Sequence, residues 1–130
     1  MNYSAPHLPQ EVFEALVIEA IASLPVYFQE KLENMEILVT VWPTNNELRR
    51  AGIRPGSLLL GLYQGIPLTE RTHYYNLVPP DTITLYQGPI EVVAGDDYEK
   101  IKKQVSHTVI HEIAHHFGIS DARLRELGAY

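Results

Sequence analysis

Two histidines four residues apart, His111 and His115, enclose a glutamate, Glu112, in the stretch "HEIAHHFGISDARLRELGAY". On a helix, residues spaced by four project from the same face one turn apart, so the two imidazoles can converge on a single ion. Imidazole nitrogens bind Zn²⁺ at about 2.0–2.1 Å. Glu112 lies about 100° further round the helix, beside such an ion without ligating it. In that place a carboxylate takes a proton from zinc-bound water and passes it to a leaving amine, which is the chemistry of metal-assisted peptide hydrolysis.

A catalytic zinc site takes three protein ligands and keeps a position open. Only fifteen residues follow His115, and Gly118 and Asp121 stand among them, extending the pattern to H-E-x-x-H-x-x-G-x-x-D. Fixing a Gly and an Asp at two further places reduces chance matches on the order of a few hundredfold. A glycine can take the left-handed conformation that ends a helix and turns the chain back. Asp121 then returns toward the imidazoles with a carboxylate, an acceptable zinc ligand. The spacing parallels H-E-x-x-H-x-x-G-x-x-H of the metzincins, with Asp in place of the third His. Asp121 or Ser120 could instead cap a last short helix. Glu126 is a rival third ligand and, equally, a solvated carboxylate beside Arg123.

Other candidates carry less. His107 extends the row by one turn and could approach the site or stand exposed. His116 points about 100° away from His115 and reads as a packing or hydrogen-bonding residue. His73 could line a cleft, and Tyr74, Tyr75 or Tyr130 could donate to an oxyanion. His7 carries no signal.

The elements that would position these residues follow from periodicity. Val12, Phe13, Leu16, Val17, Ala20, Ile21 and Leu24 recur at helical spacing between Pro9 and Pro25. "VYFQEKLENM" adds a second short helix, and the β-branched run "MEILVTVW" is a strand stopped by Pro43. "TNNELRRAG" is a short helix capped by Thr44 or Asn45 and stopped at Gly52. The middle of "PGSLLLGLYQGIPLT" is a second strand, at the edge of the sheet or inside it. An edge position would let an extended peptide add beside "SLLLGLY". "ERTHYYNLVPPD" is a loop and "TITLYQGPI" a third strand, with Ile83 and Leu85 on one face. One long helix covers "GDDYEKIKKQVSHTVIHEIAHHFG", with Asp96 and Asp97 at its start, where the helix dipole favours negative charge. Its apolar stripe is Tyr98, Ile101, Val105, Val109 and Ile113. Gly118 ends it, and "SDARLREL" begins a last short helix. Three strands interspersed with helices predict an α+β domain, helices packed on a small sheet.

Bulk properties narrow the function classes. With 130 residues, one domain spanning 1–130 is the expectation. The net charge of −6 argues against nucleic acid as a partner, and Arg49, Arg50 and Arg54 read as a solvated helix end. There is no cysteine, which excludes disulfides, thiolate ligands and a cysteine nucleophile. "MNYSAPHLPQEVFEAL" has neither a basic n-region nor a long apolar h-region, so no signal peptide is expected. No apolar run approaches the ~20 residues that span a bilayer. A cytoplasmic location with no membrane partner is expected.

Beyond the motif, "LLGLYQGIPLTER", "DTITLYQGPIE" and "TVIHEIAHHFGISDARLRELG" resemble, in family order, the small zincin-like metallopeptidases of bacteria. The overlap runs from about Glu11 to the end. The resemblance implies a compact zincin fold holding one Zn²⁺ through His111, His115 and Asp121, with Glu112 as general base and a peptide or protein as substrate. It departs from metzincins in lacking a downstream Met-turn, since the only methionines are Met1 and Met35. A zinc-binding module without catalysis is the alternative, but metal binding alone does not require a carboxylate at position 112.

Overall fold

The computed structural model describes residues 6–54, 56–65 and 81–129. The candidates His73, Tyr74, Tyr75 and Tyr130, and nearly all of "ERTHYYNLVPPD", lie outside them.

Helix α1 (Gln10–Ala22) begins after Pro9 and turns Phe13, Leu16, Val17 and Ala20 inward. Their spacing of three and four is the stripe expected from the sequence, although Val12 stays 39% exposed. Pro25 opens α2 (Val26–Leu32), which buries Phe28 and Leu32. Strand β1 (Met35–Thr40) alternates half-buried Met35, Ile37 and Val39 with exposed Glu36 and Leu38.

Helix α3 (Asn45–Arg50) is started by a capping box. The Glu47 amide donates to Thr44 Oγ1 at 3.1 Å and the Thr44 amide to Glu47 Oε1 at 2.9 Å, satisfying two donors that a helix start leaves open. Arg49 and Arg50 are exposed at its far end, as a solvated terminus.

Strand β3 (Asp81–Tyr86) is the middle of a three-stranded sheet, parallel to β1 and antiparallel to β2 (Gly61–Gln64). Being central, β3 buries both faces from Ile83 to Tyr86. Ile83 and Leu85 enter the main core, while the Tyr86 hydroxyl on the other face donates to Glu47 Oε2. This bond ties α3 to the end of the sheet.

The third strand is shorter than expected. It stops at Tyr86, and Gln87–Ala94 forms a helix, α4. Gly88 and Pro89 look like helix breakers, but they occupy its first turn, where a proline's missing N–H has no intrahelical partner to lose. Gln87 and Glu91 hold the chain start: Gln87 Nε2 donates to the Leu8 carbonyl at 2.8 Å, and the His7 amide donates to Glu91 Oε1 at 2.6 Å.

Helix α5 (Tyr98–Phe117) is N-capped by Asp97, which accepts from the Lys100 amide at 3.1 Å. Ile101, Val105, Val109 and Ile113 are fully buried along it. They pack on α1, α4 and the sheet, making α5 the central helix of an α+β fold. Helix α6 (Asp121–Glu126) follows and buries Leu124. Among the described residues no helix is long and apolar enough to cross a membrane.

Candidate metal centre and general base

The core stripe of α5 fixes which residues face outward. With Val109 and Ile113 inside, His111 and His115 are exposed, one turn apart. Gly118 ends the helix in the left-handed conformation at φ 66°, and the Ile119 amide reaches back to the Ala114 carbonyl at 2.9 Å. This reversal carries Asp121 to the same side as the histidines. His111, Glu112, His115 and Asp121 line one cavity of about 460 Å³, together with Gly118 and Leu124.

Ser120, not Asp121, caps α6, accepting from the Arg123 amide at 3.1 Å. The Asp121 carboxylate is therefore spared the capping role. Glu126 pairs with Arg123 at 3.0 Å on the exposed surface, which is the solvated pairing rather than a ligand position.

The donors share a cavity without converging. Among the described residues, no three His, Asp or Glu side chains are drawn close enough to hold a metal ion. The set nevertheless suits zinc by type, with two imidazoles and one carboxylate. All three side chains are exposed, and none makes a hydrogen bond among the described residues.

Glu112 sits differently. It is only partly exposed, against strand β2, and the Tyr63 backbone amide donates to its carboxylate. Burial pushes its carboxyl above the ordinary range, with the Tyr63 amide and the nearby His115 pulling it partly back. The Tyr86 amide bonds the Leu60 carbonyl at 3.0 Å, which sets the phase of the antiparallel pair. Even-numbered residues of β2 turn their backbone groups to β3, while Gly61 and Tyr63 turn theirs outward. The Tyr63 amide that meets Glu112 belongs to that outer row. Among the described residues β2 is thus an edge strand.

Gly61 allows this proximity. A Cβ there would stand 2.8 Å from Thr108 Cγ2 and 3.6 Å from Glu112 Cγ. A side chain would therefore force β2 away from α5. The Tyr63 ring stacks on His116, with centroids 3.8 Å apart, so His116 is the packing residue the sequence suggests. His107 is exposed and meets His111 ring to ring at 4.2 Å. Partial desolvation by its neighbours, then the charges of His111 and Lys103, lower its pKa.

Sequence reasoning missed Tyr63, Gly61 and Thr108. Their roles depend on a strand crossing a helix, and neither spacing nor residue type announces that contact.

A family model described as zincin-like metallopeptidase matches residues 32–129, from the end of α2 past α6. No curated protein matches the chain. The match spans the whole sheet and every residue lining the cavity described above, and the chain belongs to the zincin-like metallopeptidase family.

Proposed function

We propose that this chain is a zinc-dependent peptidase in which His111, His115 and Asp121 hold one ion and Glu112 handles the proton. The observation that carries the proposal is the contrast within one cavity. Two imidazoles and a carboxylate stand there without hydrogen-bond partners among the described residues, while a fourth side chain, Glu112, is sheltered and anchored. Zinc held by the first three would supply Lewis acidity to a substrate carbonyl and acidify a water.

The protein's own groups do the rest. Burial makes the Glu112 carboxylate a stronger base than a solvated glutamate, closer to what proton transfer at neutral pH needs. The Tyr63 amide donates to that carboxylate and so restrains its orientation. Beside the Tyr63 amide, which Glu112 takes, the outer row of β2 turns the Gly61 amide and carbonyl and the Tyr63 carbonyl outward. An extended peptide pairing with these would lie along the strand whose amide holds the base.

Elemental analysis of protein purified without chelator tests the metal. Near-stoichiometric zinc is expected, lost in His111→Ala. On a peptide library, wild type should cleave and Glu112→Gln should not, with zinc retained in both. Zinc-loaded wild type that cleaves no peptide would reduce the chain to a metal-binding module.

A further inference from the structure

Two depressions meet along Glu112 and His115. One is the metal-side cavity. The other, of about 400 Å³, opens on the β2 side, and the chemistry proposed above gives it no task. Ala51, Ile53, Leu59 and Leu62 line it, together with the stacked Tyr63 and His116.

We propose that this second depression is a specificity subsite for one large apolar side chain of an extended peptide, next to the bond that Glu112 serves. The inference rests on the peptidase reading and adds to it a class of substrate. Four aliphatic residues from two separate segments face the same space, which is what gives a site apolar preference. Among the described residues, Glu112 is the one acid in the lining and no Lys or Arg accompanies it. A substrate carboxylate entering among these aliphatic side chains would lose solvation and meet the like charge of Glu112. The volume has room for a Leu, Phe or Met side chain. The outward Gly61 amide and carbonyl and the Tyr63 carbonyl run beside the depression, so a peptide paired with them is carried past it.

Ile53 is the residue to test. It lies outside the main core and is half-buried. Its position is fixed by the end of α3: Gly52 turns at φ 68°, and the Ile53 amide returns to the Leu48 carbonyl at 3.1 Å. The aliphatic side chain is therefore presented by a hydrogen-bonded turn.

The experiment varies one position at a time on either side of the cleaved bond, in peptides presented to zinc-loaded protein. Calorimetry of the same peptides on the Glu112→Gln variant reads binding without turnover. At one position, Leu, Phe or Met should exceed Asp and Glu by at least about tenfold in kcat/KM, and should exceed the uncharged polar Asn and Gln in affinity for Glu112→Gln. Ile53→Lys should narrow or invert that ratio, with zinc content and melting temperature kept as checks on the fold. Cleavage indifferent to residue type, or a profile unchanged in a folded Ile53→Lys, overturns the subsite and leaves the peptidase reading standing. Neither cleavage by wild type nor binding by Glu112→Gln, with zinc present, overturns both.

Discussion

The ring of Tyr63 lies nearly flat on the imidazole of His116, 22° from parallel. This contact fastens the edge strand to the helix carrying the candidate donors. The same residue's amide holds Glu112, and its hydroxyl donates to Asp81 at the start of β3. Tyr63 thus joins α5, β2 and β3 at the point where base and sheet edge meet. Stacked aromatic pairs are worth about 0.5–1.5 kcal/mol beyond the area they bury. His116→Ala should therefore lower unfolding free energy by about 1 kcal/mol in urea titrations. Zinc affinity should hold within about twofold, since His116 points about 100° away from His115. A large loss of zinc in this variant would make His116 a ligand and contradict the packing role.

Gly61 sets how closely β2 approaches α5. In Gly61→Ala the new methyl meets Thr108 Cγ2 at 2.8 Å, inside any normal contact. Overpacking of this kind costs about 1–3 kcal/mol. Thr108→Ser removes the opposing methyl, so the double variant should recover much of the loss. A double-mutant cycle by thermal denaturation measures the coupling, and strict additivity would show that the two groups do not collide.

Glu112 should leave a mark on the pH dependence of metal-free protein. Burial raises its folded pKa above the ordinary 4.5, so in the window between the two values the folded state binds more protons than the unfolded state. The sign follows: this group's contribution to stability falls as pH rises from about 4.5 through the raised value. Glu112→Gln removes the titration. The variant's advantage over wild type should thus grow across that window and level off above it. A gap that stays constant from pH 4 to 8 would show that the carboxylate is not desolvated.

Glu47 has the opposite sign. The Tyr86 hydroxyl, then the Thr44 amide, hold its carboxyl below the ordinary value, so its contribution is present above 4.5 and lost as pH falls through the lowered pKa. Tyr86→Phe should cost about 1–2 kcal/mol at neutral pH, and the cost should shrink in acid as Glu47 protonates. Denaturation at neutral and at acidic pH compares the two, and an equal cost at both would assign the loss to packing alone.

Most elements could be read from the chain because their causes are local. The α1 stripe, the Thr44 cap and the left-handed Gly118 each depend on residues within a turn or two. Helix α4 escaped because Gly88-Pro89 signals a break unless one knows that it falls in a first turn. The Tyr63–Glu112 contact escaped for a different reason. It joins residues 49 positions apart, and only the packing of β2 on α5 creates it. The histidine row was plain from spacing alone, yet spacing fixes the face and not the torsions, so the donors share a cavity without meeting.

The roles of Asp121 and Glu126 can be separated because the structure assigns the cap of α6 to Ser120. Asp121→Asn changes the candidate ligand and leaves the Ser120–Arg123 cap bond in place. Helix content by circular dichroism should stay constant while zinc affinity falls at least about tenfold, in keeping with the loss of a negatively charged oxygen donor. Glu126→Gln breaks only an exposed pair with Arg123, worth about 0–1 kcal/mol, and should leave zinc affinity alone. Competition titrations with a chromophoric chelator read both variants side by side. If the losses are reversed, the third ligand belongs to α6 one turn further on, and the Gly118 reversal serves only to end the helix.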